Sequence, residues 1–294
     1  MDGTANAHIR EAANMIKRVA MSKKIENLLK ERRYGAVTDM LYEDPSLVSD
    51  LVGQLDTTNS NTQVGILTIL GRYGFDHPEL VYPHVGAIMR VLDKNSALKS
   101  DVACALGNLV FTSREKSADV MPMLAELFQD EDSFLRQDAA AAIGNIGFNF
   151  PELVEKEIEG LKTMLDSDDE DERETGAQAL GKIGINSPEV IKGSFPKLVK
   201  VLEHAKEASC GGIISAFGAL GYHYPEMVRE QIPRLVGYLH SSNQVAVKNA
   251  VMALGIIGMT QPDLIEPAVP DLRKLAEDPD REIRLNAMVA ISKS

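Results

Sequence analysis

The stretch Ala142-Ile143-Gly144-Asn145-Ile146-Gly147-Phe148-Asn149-Phe150-Pro151-Glu152 decides the fold, because near copies of it recur along the chain. A Gly-x-x-Gly pair, or a near version, stands at Gly71 and Gly74, Gly107 and Val110, Gly144 and Gly147, Gly181 and Gly184, Gly218 and Gly221, and Gly255 and Gly258. The first step is 36 residues and the next four are 37 each. Alanine precedes the leading glycine by two residues at Ala105, Ala142, Ala179, Ala216 and Ala253, and the column continues to Ala290. Proline follows the second glycine at Pro78, Pro151, Pro188, Pro225 and Pro262, each with an acid after it. A second proline column holds Pro122, Pro196, Pro233 and Pro270. Breakers held at one period mark a chain built from stacked units, each burying its apolar face against its neighbours.

Each period reads as two helices. In the unit opened by Pro151-Glu152, proline suits a first helical turn and the acid suits the positive end of the helix dipole. Leu153, Val154, Ile158, Leu161, Met164 and Leu165 recur at three to four residues, as one buried stripe would. Pro196, Pro233 and Pro270 fall inside the first helix, which predicts a kink or a short helix followed by a longer one. A polar turn, Asp166 to Asp171, leads to a second helix from about Glu172 to Ile183 with a small inner face of Gly176, Ala179, Leu180 and Ile183. The alanine column marks a close helix–helix approach. The second glycine is expected to close the helix in the left-handed conformation.

Walking outward, Ala36, Val37, Met40, Leu41 and Pro45 match the same columns. The expectation is a single all-α domain over 1–294, with N-terminal capping helices over 1–44 and repeats over 45–294. It comprises about eight helix pairs, preceded by a helix from roughly Ala5 to Ala20. Such a row forms a right-handed superhelix roughly 70–80 Å long. The chain stops at Ser294, about where the last second helix would finish, with no polar helix to cover it. Either the chain continues or that end has a partner.

The unit resembles the HEAT repeat. An Asp in the turn, an Arg opening the second helix and an Ala-Leu-Gly-like ending carry the likeness, at Asp130, Arg136 and Ala142-Ile143-Gly144, and at Asp278, Arg284 and Ala290-Ile291. Asp93 with Lys99 and Asp168 with Arg173 are looser versions. The resemblance covers about residues 22–294 and implies ladders of Asp and Arg hydrogen bonds between neighbouring units. His204 with Cys210, and Ser241 with Val247, depart from the pattern, so the ladder is expected to break there. The split first helix is also similar to armadillo repeats.

Composition narrows the function. The chain has 294 residues, 44% of them hydrophobic and 25% charged, so neither disorder nor a collagen-like class fits. No apolar run approaches the roughly 18–20 residues of a membrane helix, and the charged N-terminus does not read as a signal peptide. The net charge is −12, and apart from a basic N-terminal end the body is acidic, which is poor for neutralising phosphates. Cys104 and Cys210 are too few for a disulfide framework, which suggests a reducing, cytoplasmic setting.

Catalytic motifs fail on inspection. Gly176 to Lys182 looks like the start of a phosphate-binding loop, but Ile183 stands where a Ser or Thr would hold magnesium. The acidic run Asp166 to Glu172 lacks the central glycine and the closing glutamate of a calcium loop. The histidines show no His-Glu pair, which counts against the HEAT-like di-iron hydroxylases, and the absence of tryptophan and of a basic groove counts against the HEAT-like alkylpurine glycosylases. No catalytic residue, cofactor or metal is expected. The expected function is a non-catalytic protein-binding scaffold or adaptor that holds a partner peptide or helix along the concave face. The alternatives are a HEAT-like enzyme or enzyme subunit similar to the bilin lyases, or a fragment of a larger assembly subunit.

In HEAT solenoids the second helices line the concave face. The column after the leading glycine therefore marks candidate contacts at Arg72, Asn108, Asn145, Lys182 and Ile256, with Met252 from the column three residues before that glycine. A ridge of inter-repeat aromatics (Phe75, His77, Phe148, Phe150, Tyr222, His223, Tyr224) is the rival surface, read chiefly as packing between units. The partner is expected to be another protein, neither nucleic acid nor membrane. The acidic charge favours a basic segment on it. Composition leaves the oligomeric state open.

Overall fold

The computed structural model describes residues 19–56, 59–204 and 210–292, so the helix expected from Ala5 to Ala20 lies almost wholly outside the described residues. Two compact units form, Met1–Val110 and Phe111–Ser294. Both are α-helical, and no strand occurs among the described residues.

In the first unit, residues 19–30 are helical and bury Ile25, Leu28 and Leu29. The helix closes at Arg32, whose φ of 55° is left-handed. The Arg33 N–H reaches the Leu28 carbonyl at 2.8 Å and the Arg32 N–H reaches Leu29 at 3.0 Å, so two otherwise orphaned carbonyls are satisfied. The helices Tyr34–Glu43, Leu47–Gly53, Ser60–Asp76 and Lys99–Val110 follow. Short segments over Pro78–Val81, Val85–Met89 and Val91–Lys94 connect the last two.

The second unit repeats one plan. The first helix is split as the prolines predict. A short piece opens on proline (Pro188–Lys192, Pro225–Val228, Pro262–Ile265), and a longer piece carries the second proline near its start (Phe195–His204, Ile232–Tyr238, Val269–Leu275). Proline fits there because the first helical turn has no use for its missing N–H. Pro122 is different: the Arg114–Leu127 helix runs through it. The second helices are Ser133–Asn149, Glu170–Asn186, Gly211–His223, Gln244–Gly258 and Arg281–Ile291.

Asp132, Asp169, Asn243 and Asp280 cap four of these helices, their side chains accepting hydrogen bonds from first-turn N–H groups; Gly211–His223 has no such cap. Two residues earlier, Asp130, Ser167, Ser241 and Asp278 accept from the N–H of the capping residue at 2.8–3.1 Å, which tightens the turn. The acidic run is thus put to use in the turn: Asp169 caps, and Asp166 pairs with Lys197 at 2.5 Å. The phosphate-loop look-alike from Gly176 lies inside the Glu170–Asn186 helix.

The ladder implied by the repeat resemblance takes a different form. Arg136, Arg173 and Arg284 donate to the backbone carbonyls of their own turns, at Asp130, Ser167 and Asp278, over 2.9, 2.6 and 2.5 Å. The bond that crosses to the next repeat runs from the Arg136 guanidinium to the buried Glu172 carboxylate, which also accepts from the Ser167 hydroxyl at 2.6 Å. Where Arg is replaced, Cys210 and Val247 are buried as apolar side chains.

A second ladder runs along the helix ends. The Asn149 amide donates to the Phe111 carbonyl at 2.9 Å, Asn186 to Phe148 at 2.8 Å, and the Thr260 hydroxyl to Tyr222 at 3.4 Å. Each satisfies a carbonyl near the end of the segment one repeat earlier.

The glycine columns make room. A Cβ on Gly144 would lie 2.7 Å from the Ala179 Cα, one on Gly218 would lie 2.9 Å from Ala253 Cα, and one on Gly71 would lie 3.0 Å from Ala105 Cα. At these positions the leading glycine of one repeat seats the alanine of the next, whereas Gly181 is closest to the Gly212 backbone. The second glycine corrects the expectation of a left-handed helix end, since no glycine among the described residues has positive φ. Most second helices run on past it, and its missing side chain admits two neighbours. A Cβ on Gly147 would meet Ile183 of the next second helix at 2.7 Å and Val154 of the following first helix at 2.8 Å.

The last helix, Arg281–Ile291, exposes Leu285, Met288 and Val289. Met288 shares its column with Val251, Ile214, Ala177 and Ala140, all buried.

Three substitutions test the packing. Gly144→Ala should lower unfolding free energy by about 1–3 kcal/mol in urea melts, because a backbone atom must move to admit the methyl. Gly237→Ala, in the last turn of Ile232–Tyr238 with negative φ and nothing within 4 Å, should raise it by roughly 0.4–1 kcal/mol through the lost freedom of the unfolded chain. Equal effects would refute the close-approach reading. Glu172→Ala should cost about 1–3 kcal/mol by stranding Arg136, and a thermal melt unchanged from the parent would show that the cross-repeat bond adds nothing.

Candidate partner-binding faces

In the first unit, Arg72 and Asn108 come together on the exposed side of the Ser60–Asp76 and Lys99–Val110 helices. They line a cleft of about 500 Å³ with Phe75, Asp76, Asp101 and Cys104. Phe75 is 59% exposed beside these charges, so one cleft offers an aromatic face, a guanidinium, an amide and two carboxylates. Asp76 is held from its other side by the Tyr42 hydroxyl at 2.7 Å, and that bond raises the phenol's pKa above its ordinary value.

In the second unit, Asn145 and Lys182 occupy successive second helices and meet directly: Lys182 Nζ donates to Asn145 Oδ1 at 2.7 Å. Lys182 is half-buried, and burial lowers its pKa from the ordinary lysine value. Among the described residues no carboxylate stands within ion-pairing distance of this ammonium. The next helix presents Ser215, whose hydroxyl lies 3.0 Å from Asn249 Oδ1, and the buried Ala219.

Beyond them, Met252 and Ile256 share one side of the Gln244–Gly258 helix. Two residues that sequence reasoning missed extend that side, Val245 (54% exposed) and Met259 (55% exposed). Positions 245, 252, 256 and 259 fall at helical spacing on a single face, on which the half-buried Asn249 separates Val245 from the apolar group of Met252, Ile256 and Met259. The opposite face buries Val247, Ala250, Val251 and Leu254. Apart from Gln244, Lys248 and Asn249 the helix is apolar, which reads as core until one side is seen to lack a neighbour.

The aromatic ridge divides. Tyr42, Tyr73 and His77 stack with ring centroids 4.9–5.4 Å apart. Tyr224 reaches across to the preceding repeat, with Lys192 Nζ 4.0 Å from its ring centroid and its hydroxyl bonded to Glu189. These pack between neighbouring repeats, whereas Phe75 and Tyr222 remain exposed.

With this geometry in place, comparison with known proteins is informative. The family model for HEAT repeats matches residues 82–181, about a third of the chain. The same glycine, alanine and proline columns continue beyond that window at the same period. Residues 82–181 match HEAT repeats, and the chain has an all-α, HEAT/armadillo-like repeat fold.

Among solved structures, this repeat protein is similar to an engineered protein with 23% identity and a TM-score of 0.50, covering 84% of this chain and 97% of that one. It is also similar to a designed armadillo repeat protein (22% identity, TM-score 0.49, 83% and 98% covered). A second designed armadillo repeat protein, in complex with a (KR)4 peptide, matches at 20% identity and a TM-score of 0.49, with 83% and 97% covered. No curated protein sequence matches. No described helix of the repeat protein is long and apolar enough to cross a membrane.

The buried ammonium makes a pH prediction. In the unfolded chain Lys182 keeps its proton to about pH 10.4. Between its lowered folded value and that point the unfolded state binds more protons, so stability rises with pH. Urea melts from neutrality toward pH 10 should show the wild type gaining stability relative to Lys182→Met. A difference that stays constant would mean the ammonium is fully solvated in the folded chain.

Proposed function

We propose that this repeat protein is a non-catalytic binding scaffold or adaptor that holds a peptide segment or helix of a partner protein along the exposed faces of its second helices. The observation that carries this reading is the solvent-facing apolar group of Met252, Ile256 and Met259 at the C-terminal end of the Gln244–Gly258 helix, with Val245 beyond Asn249 on the same face. A contiguous apolar strip with polar groups beside it is what a partner helix or extended segment uses for docking. The cleft at Arg72 and Asn108 supplies a polar contact surface of the same kind in the first unit. Nucleic acid and membrane fit poorly with a chain of net charge −12. A cytoplasmic setting agrees with two free cysteines, one exposed and one buried.

Affinity capture from the source cell with mass spectrometry tests this reading. The immobilised full chain should lose specific partners when Met252 and Met259 are both changed to serine. It should keep them when Glu226 and Arg229, an exposed ion pair on the first-helix side, are changed to alanine. Identical partner sets from the parent and the methionine variant would overturn it.

A further inference from the structure

Among the described residues, Lys182 is the one cation in the two groove columns of the second unit, which read Ala141, Asn145, Gln178, Lys182, the buried Ser215 and Ala219, Met252 and Ile256 and go on to Val289. No acid stands in either column. The protein as a whole is acidic, yet this strip is neutral except for one positive charge. The charge is half-buried, and its bond is to the neutral amide oxygen of Asn145 at 2.7 Å. An amide offsets only part of what an ammonium loses on leaving water, and a carboxylate would offset more through a charge-assisted bond. Burial already lowers the affinity of Lys182 for its proton, in line with that shortfall.

From this charge complementarity we infer that the strip takes an extended partner segment carrying an acidic side chain, whose carboxylate meets Lys182 while an apolar side chain of the same segment lies on Met252 and Ile256. The inference rests on the binding-scaffold reading and specifies the partner's chemistry. Lys182 and Ile256 occupy the same column two repeats apart. At 8–10 Å per packed helix layer the separation is about 16–20 Å. An extended chain rises about 3.3 Å per residue, so the acid and the apolar residue stand about five or six residues apart. The overall negative charge of the scaffold acts on the partner's net charge at long range, whereas Lys182 selects at contact. A segment bearing one acid within a partner that is basic overall satisfies both.

A random 12-residue peptide library displayed on phage, panned on the immobilised full chain, provides the test. Enriched peptides are then made synthetically, and their binding is measured by fluorescence polarisation on the parent, Lys182→Met and Lys182→Arg. Circular dichroism confirms that each variant is folded. The expected result is enrichment of Asp or Glu five or six residues from Leu, Ile, Met or Phe. Binding should be at least fivefold weaker on Lys182→Met and within about twofold of the parent on Lys182→Arg. Peptides rich in Lys and Arg, or binding unchanged by Lys182→Met, would overturn the acidic-segment inference while leaving peptide binding standing. No enrichment on a folded chain would overturn the scaffold reading and the inference with it.

Discussion

The rest of the structure depends on how closely successive second helices approach, and that distance is set where a leading glycine meets the alanine of the next repeat. A methyl on Gly144 would stand 2.7 Å from the Ala179 Cα, and the same intimacy recurs at Gly71 against Ala105 and Gly218 against Ala253. Backbones this near leave room for Ile143, Leu180, Phe217 and Leu254 to pack between layers, each buried completely. The second glycine admits the following first helix, through Val81, Val154, Ile191, Val228 or Ile265, and at Gly74, Gly147 and Gly221 also the leucine or isoleucine of the next second helix. A bulkier residue in either column would separate the layers, and the hydrogen bonds from Asn149 and Asn186 to the carbonyls one repeat back would lengthen with them.

That stacking also creates the binding surface. Each second helix has one side against its own first helix and two flanks against neighbouring repeats, so a single strip stays open. Repetition aligns these strips into columns, and the residue at each column position chooses the local chemistry. In the second unit the choice runs from Asn145 and Lys182, through the small Ser215 and Ala219, to Met252 and Ile256. In the first unit Arg72 and Asn108 stand beside Asp76 and Asp101. Function in such a chain resides in how neighbouring columns differ, because the columns that repeat are occupied with packing.

Much of this was legible from spacing alone. The prolines mark the split first helices, and the columns alone place Arg72 with Asn108, and Asn145 with Lys182. Other features were not legible. The left-handed residue is Arg32 rather than a glycine of the repeat, because a glycine can serve either a helix end or a tight contact and spacing does not tell the two apart. The cross-repeat partner of Arg136 is Glu172, which lies outside the column where the repeat resemblance placed the ladder. Val245 and Met259 lie outside the repeat columns that line the groove, so spacing alone does not mark them as exposed.

The sequence by itself determined the period, the helix pairs and the all-α repeat fold, since breakers and small residues act locally and their spacing survives in one dimension. Only the tertiary structure decided which side of each helix stays open, which carbonyl each asparagine satisfies, and that Lys182 is half-buried with an amide rather than a carboxylate for company. These depend on distances between residues about 37 positions apart, and such distances exist only once the layers have stacked.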